Sequence, residues 1–318
     1  MFNHIILPLD GSSLAERALP HAVSLAQAFE ASITLLRVIE DPQTDGHIEP
    51  VDPLDWHMCK TEGEAYLDAS VGPLREVGLR AERLLLEGQP AQSILEFVRS
   101  HNVDLIVASS HGKKGLSAWN VSSVVQKIIW RSRVSTMIVR AYQPMDSDSK
   151  DLRYQRLLVP LDGSQRAECA LPVANALARF HDAELLLAHV VSRPEMPRRV
   201  PLTQEELELL KRIVDRNQQE ATRYLEEIQS SMAGNVQTRM LSCGDVAMSL
   251  HELVEREKAD LVVLSGHGYS GRMEWPYGGV TNSFVQYGTT PLLIVQDLPP
   301  EEIELTEAEA AIREIKGH

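Results

Sequence analysis

His4-Ile-Ile-Leu-Pro-Leu-Asp-Gly-Ser-Ser-Leu-Ala-Glu-Arg-Ala-Leu-Pro20 decides the fold, because the chain writes it a second time as Arg156-Leu-Leu-Val-Pro-Leu-Asp-Gly-Ser-Gln-Arg-Ala-Glu-Cys-Ala-Leu-Pro172. Asp10 maps onto Asp162 and Pro20 onto Pro172, both at an offset of 152. The same offset carries Leu25-Ala26 to Leu177-Ala178 and Val38 to Val190. Further on, Asp104-Leu-Ile-Val-Ala-Ser-Ser-His-Gly112 matches Asp260-Leu-Val-Val-Leu-Ser-Gly-His-Gly268 at an offset of 156. Two segments in one order and at nearly one offset mean a duplication, with four extra residues entering the second copy between Val190 and Gly244.

Each copy alternates strand and helix. Ile5 to Leu9 is a short apolar run, the pattern of a strand buried on both faces. Asp10-Gly11-Ser12 breaks it and offers Ser12 or Ser13 as a helix N-cap. Helical spacing follows through Leu14, Ala18, Val23 and Leu25. Ile33 to Ile39, Leu84 to Leu86, Leu105 to Ala108 and Met137 to Val139 read as further strands, with helices near 57–77, 90–101 and 120–131 between them. The second copy repeats this with a longer helix near 204–231, opened by a Thr203/Glu206 capping box. Strands alternating with helices predict an α/β fold, a parallel sheet covered on both faces. The predicted organisation is a first domain over 1–142, a linker over 143–153 (polar, with Pro144), a second domain over 154–297 and an acidic tail over 298–318. Thr306 and Glu309 cap a short helix in that tail. The halves are expected to superpose with one strand order, and a single continuous sheet would count against that reading.

The 318 residues carry 31 basic and 45 acidic side chains, a formal charge of −14. Such a surface repels a phosphate backbone and argues against nucleic-acid binding. No apolar run reaches the 18 residues of a membrane span, so no membrane partner is expected. The first ten residues read as a strand rather than a secretory signal. Cys59, Cys169 and Cys243 are scattered and odd in number, which fits a reducing cytoplasm better than a disulfide framework.

In a parallel α/β sheet, ligands sit outside the carboxyl ends of the strands. Asp10 and Asp162 stand there. Each is either an acceptor for a ribose or base amine, or a turn aspartate serving the following helix. The fourth strand of each copy runs into a loop of small residues: Ser109-Ser-His-Gly112 through Ser122-Ser123, and Ser265-Gly-His-Gly268 through Gly278-Gly279. Small residues let a phosphate approach the backbone, and the next helix start aims N–H groups at the anion. The alternative is a pair of ordinary strand–helix turns.

With these residues the chain resembles a tandem universal stress protein, two UspA-like domains in one polypeptide. The hydrophobic-Pro-Leu-Asp-Gly-Ser opening, the Asp-Leu-Ile-Val strand, the Ser-His-Gly loop and the closing Pro291-Leu-Leu-Ile-Val295 strand carry the resemblance. It implies a five-stranded parallel sheet in each half, with the last strands, Met137 to Arg140 and Leu292 to Gln296, pairing across the halves as an intramolecular pseudo-dimer. Further homo-oligomers are compatible with it. ATP-binding members resemble the pattern Gly, two residues, Gly, nine residues, Gly, then Ser or Thr. The first copy gives Ser109, Gly112, Ser122 and Ser123; the second gives Ser265, Gly268, Gly278 and Gly279. One copy keeps the final hydroxyl, the other keeps two glycines. By the same resemblance Asp10 and Asp162 face the adenosine, the backbone at Val38 and Val190 meets the adenine edge, and Gly112, Ser122 and Ser123, or Gly268, Gly278 and Gly279, hold phosphates. The expected ligand is an adenine nucleotide such as ATP, held weakly and more in the second half. The competing class is a module without nucleotide, a protein-interaction scaffold or small-ligand binder. An enzyme is the third: slow ATP hydrolysis at most, with no general base or metal cluster evident.

Other constellations carry less. His251-Glu-Leu-Val-Glu255 lacks the second histidine of a zinc-protease helix and reads as an exposed amphipathic face. His57-Met58-Cys59 has no second cluster at zinc spacing. Cys243 before Gly244 reads as a small half-buried residue. His111 and His267 recur in the loops, either touching a ligand or bonding the loop backbone.

Overall fold

The computed structural model describes residues 1–40, 52–113, 115, 121–142, 152–193, 202–270 and 276–297. The tail over 298–318 and residues 143–151 of the linker lie outside them. In the first half the chain runs β1 (His4–Pro8), α1 (Ser13–Glu16), α2 (Leu19–Phe29), β2 (Ser32–Ile39), α3 (Pro53–Glu76), β3 (Ala81–Glu87), α4 (Pro90–Ser100), β4 (Leu105–Ser109), α5 (Ser123–Arg131) and β5 (Ser135–Val139). The second half repeats it: β6 (Arg156–Leu161), α6 (Gln165–Glu168), α7 (Ala170–His181), β7 (Glu184–Ser192), α8 (Gln204–Ser231), β8 (Val236–Cys243), α9 (Val246–Glu257), β9 (Leu261–Ser265), α10 (Gly279–Tyr287) and β10 (Leu292–Val295). No described helix is long and apolar enough to cross a membrane.

The strands lie in the order β3-β2-β1-β4-β5-β10-β9-β6-β7-β8. Each half therefore has the order 3-2-1-4-5, and every pair within a half is parallel. The exclusion of one continuous sheet was mistaken. Pairing the last strands fuses two five-stranded sheets into one of ten. The joint is antiparallel, with Leu292 opposite Ile138, Leu293 opposite Met137 and Ile294 opposite Thr136. It covers two edges that would otherwise offer unpaired backbone groups. Arg140 and Gln296 lie beyond the ladder.

Side chains alternate across the sheet, since successive Cβ atoms point to opposite faces. Ile5, Leu7 and Leu9 join one apolar layer with residues of α2, α3 and α7. Ile6, Ile106 and Ala108 join the other, beneath α4, α5, α9 and α10. Both layers run through both halves, so the joint has a core on each face. Leu293 is fully buried there; truncating such a side chain to alanine costs about 2–5 kcal/mol.

The first helix departs from the sequence reading. Ser12 is its N-cap, accepting from the Ala15 N–H at 3.1 Å, but one turn later the helix breaks and α2 starts afresh with Pro20 in its first turn. Proline lacks an N–H, so the second start coincides with the ring. The 120–131 helix begins at Ser123 because Ser122 is held extended as its cap. The Thr203/Glu206 capping box is present. His251 is not on an exposed face: it is half-buried where α9 meets α10, its Nε2 3.1 Å from the Ser283 Oγ and its ring 4.2 Å from that of Phe284.

Candidate functional site

Asp10 and Asp162 follow the first strand of their halves and make the same bonds. Asp10 Oδ1 accepts from the Ser12 N–H at 3.0 Å and the Ser12 hydroxyl at 2.6 Å, and Oδ2 accepts from the Lys113 N–H at 2.5 Å. Asp162 Oδ1 accepts from the Ser164 N–H at 3.0 Å and its hydroxyl at 2.6 Å, and Oδ2 accepts from the Tyr269 N–H at 2.6 Å. Each carboxylate thus closes its own turn and also ties it to the loop after the fourth strand. Three bonds leave room on a carboxylate for about one further donor.

The close approach explains Gly112 and Gly268. A Cβ on Gly112 would stand 2.1 Å from Asp10 Oδ2, and one on Gly268 2.2 Å from Asp162 Oδ2. Any side chain there collides with the carboxylate. Val38 and Val190 lie level with the aspartates one strand over: Pro8 is opposite Leu36 and Leu161 opposite His189. The structure therefore brings Asp10, Gly112 and Val38 to one end of the first sheet, and Asp162, Gly268 and Val190 to one end of the second.

The returning segment of each loop docks through one backbone bond, Ser122 N–H to Ser110 O and Gly278 N–H to Gly266 O, both at 2.8 Å. The helix starts then differ. Ser122 turns its hydroxyl onto the Val125 N–H at 3.4 Å and so caps α5 itself. Gly278 gives α10 no side-chain cap, so the first-turn N–H groups stay available to an external acceptor. Ser123 and Gly279 are the first helical residues. Residues 114, 116–120 and 271–275 of the two loops lie outside the described ones.

His111 and His267 are both buried, at 3% and 2% exposure, and serve the protein itself. His267 Nδ1 lies 2.9 Å from Asp297 Oδ1, which also accepts the His267 N–H at 3.0 Å. Arg166 is 3.8 Å from the other oxygen of Asp297. His111 Nδ1 lies 3.1 Å from the Ser110 hydroxyl, and that hydroxyl accepts the Ala141 N–H at 3.0 Å. One task, joining the fourth-strand loop to the end of the fifth strand, is done by Ser110 in one half and by Asp297 in the other.

Sequence reasoning missed a pair beside each aspartate. Tyr66 of α3 donates to Glu16 at 2.9 Å and Tyr224 of α8 donates to Glu168 at 3.0 Å. Burial and the facing glutamate push both phenols up. Glu16 and Glu168 match at the 152 offset, but their partners sit on helices of unequal length, so no single offset links them. The next neighbour differs. The Arg37 guanidinium lies 5.3 Å over the Tyr66 ring and packs against Gly11. His189 takes that place in the second half, its ring 6.0 Å from Tyr224. Burial lowers the His189 pKa, partly opposed by Asp162. The first half therefore carries a guanidinium beside its tyrosine where the second carries an imidazole. Among the described residues no group of three or more His, Cys, Asp or Glu side chains is placed to hold a metal ion.

Comparison with known proteins agrees with this duplicated architecture. A universal stress protein of Methanocaldococcus jannaschii, MJ0531, is 29% identical over 141 residues, which are 44% of this chain and 83% of that protein. Universal stress protein YxiE of Bacillus subtilis is 31% identical over 148 residues, 44% of this chain and all of that protein. Each thus matches about one half. The crystal structure of a universal stress protein from Archaeoglobus fulgidus covers 94% of this chain and 100% of its own, with a TM-score of 0.63 at 19% identity, a likeness of fold. The sequence pattern of the Universal stress protein family matches twice, over residues 1–140 and 153–296, and the chain belongs to that family as a tandem of two such domains.

Proposed function

We propose that the chain binds an adenine nucleotide, ATP or a relative, weakly and mainly in its second half. The observation that carries this reading is the bare start of α10. Gly278 offers no side-chain cap, and a site one residue from Gly279 and close to the Gly268 N–H can receive phosphate oxygens on several backbone donors at once. Asp162 and the Val190 backbone, at the same end of the sheet, suit the nucleoside. In the first half the Ser122 hydroxyl already accepts one of the first-turn N–H groups, which favours a weaker site or none.

Gly278→Ala tests this cleanly. A Cβ there meets the His267 Cα, Gly266 O and Gly268 N at 3.6–3.7 Å, ordinary contact, so the fold tolerates it. It nevertheless fills the space a phosphate needs. Isothermal titration of the ligand-stripped chain with ATP, ADP and AMP at millimolar concentrations is expected to give heat that Gly278→Ala removes. Asp162→Ala should weaken binding by about 1–3 kcal/mol. No heat from any nucleotide in folded protein overturns the reading in favour of a scaffold. Loss in Ser123→Ala with binding intact in Gly278→Ala assigns the site to the first half.

A further inference from the structure

Tyr277 directly precedes Gly278, yet its hydroxyl leaves its own half. It donates to the Ile129 carbonyl at 2.9 Å, in the last turn of α5. The final carbonyls of a helix lack partners within it. Ser132 N–H serves that of Ile128, and Tyr277 serves that of Ile129. The phenol is 6% exposed, packs edge-on to Trp130 with centroids 6.3 Å apart, and lies against Gly266 of the second loop.

The reciprocal contact is built differently. Ile129 maps onto Val285 at the 156 offset. The carbonyls of Val285 and Phe284 receive the guanidinium of Arg140 at 3.3 and 2.6 Å. Arg140 comes from the end of β5 and not from the segment that starts α5. Val121, at the position equivalent to Tyr277, has no polar atom to give. Each half therefore caps the other's helix, but in one direction only does the cap sit beside the anion-binding turn.

We infer that Tyr277 is a positioning residue that couples the helix start at Gly278–Gly279 to α5 of the first half, so that an anion held by the second cleft alters the order of Ser122–Arg131. The inference rests on the anion-binding reading of that helix start. Residue 277 cannot shift with its neighbour without moving its hydroxyl relative to Ile129. The helix it grips is one continuous nine-residue helix, whose other end is the first half's own loop. Discrete packed elements of this kind transmit small displacements where a flexible loop dissipates them.

Hydrogen exchange read over residues 121–131 is the test. In the natural chain, saturating ATP is expected to raise protection both at 276–287 and at 121–131. In Tyr277→Phe, which keeps the ring, the first gain persists, the second disappears, and ATP affinity falls roughly five-fold, the size of one lost hydrogen bond. A ligand-free arm separates this from the nucleotide reading: Gly278→Val, whose γ-methyls extend past a Cβ already in contact with the Gly266–Gly268 backbone, should change exchange at 121–131 when Tyr277 is present and not in Tyr277→Phe. If ATP gives no heat but this arm behaves as stated, the nucleotide reading fails and the coupling stands. If Gly278→Val leaves 121–131 unaltered, or its effect survives Tyr277→Phe, the coupling is wrong. Should Tyr277→Phe fail to fold, the Gly278→Val arm in the natural background decides alone.

Discussion

His21 Nδ1 lies 2.6 Å from the hydroxyl of Tyr154, a buried hydrogen bond that joins the second helix of one half to the residue two before the first strand of the other. Beside it Ser24 Oγ is 2.9 Å from His181 Nε2, and the rings of Tyr154 and His181 meet edge-on at 4.8 Å. The halves thus share an aromatic and imidazole cluster at the α2–α7 contact.

Burial lowers both histidines from 6.5 to about 4, with Arg153 adding to the effect at His181. Their folded values lie below the unfolded ones. The stability they allow is therefore present above pH 6.5 and is lost as pH falls towards 4. For His21 alone the loss at pH 5 is about 2 kcal/mol. Urea midpoints between pH 8 and pH 4.5 should stay level down to about 6.5 and then drop. The drop should be shallower in His21→Phe; an unchanged slope would place the acid sensitivity elsewhere.

Arg140 is 1% exposed and its guanidinium reaches the carbonyls of Phe284, Val285 and Thr290. Burial pulls its pKa down to about 10, so it remains charged at neutral pH. Arg140→Met is expected to lower the unfolding free energy by about 2–4 kcal/mol, since α10 loses its cap and the joint loses its one buried charge-assisted anchor among the described residues. Arg140→Lys should recover less than half, because a point charge cannot serve carbonyls that a planar fork reaches together. Equilibrium urea unfolding measures both.

Gly268→Ala drives a methyl into Asp162 Oδ2 and should cost about 1–3 kcal/mol. The cost belongs to the pair, not to the glycine. Adding Asp162→Ala removes the obstacle, so the double variant should be more stable than the sum of the two single changes. A double-mutant cycle by thermal unfolding gives the coupling directly. Strict additivity would mean that the loop yields before the carboxylate does.

Gly266 and Asp297 correspond to Ser110 and Ala141 at the 156 offset. A Cβ on Gly266 would sit 2.7 Å from Asp297 Oδ1. Gly266→Ser alone is expected to destabilise by about 1–3 kcal/mol. Gly266→Ser with Asp297→Ala copies the first half's arrangement and should recover at least half of that loss in the same urea experiment.

That the halves share one strand order was legible because a duplicated motif fixes each half, although the order 3-2-1-4-5 itself was not. The pairing of the last strands was legible from the resemblance and from a bare edge's need of a partner, although its consequence, one sheet of ten strands, was not drawn. The aspartates and loop glycines were legible because they recur at constant offsets. What escaped the sequence depends on distance across the fold. Nothing about Arg140 or Tyr277 in one dimension says that they end against the opposite half's helix. Tyr66 and Tyr224 were hidden by the unequal lengths of α3 and α8. His251 was misread because helical periodicity reports one packing face, whereas α10 supplies a second.

The antiparallel joint between β5 and β10 also sets compass directions. Strands of the first half run one way and those of the second run the other, so the ends that carry Asp10 and Asp162 lie at opposite poles of the sheet. The duplication therefore sets two like ends back to back in one polypeptide, not side by side.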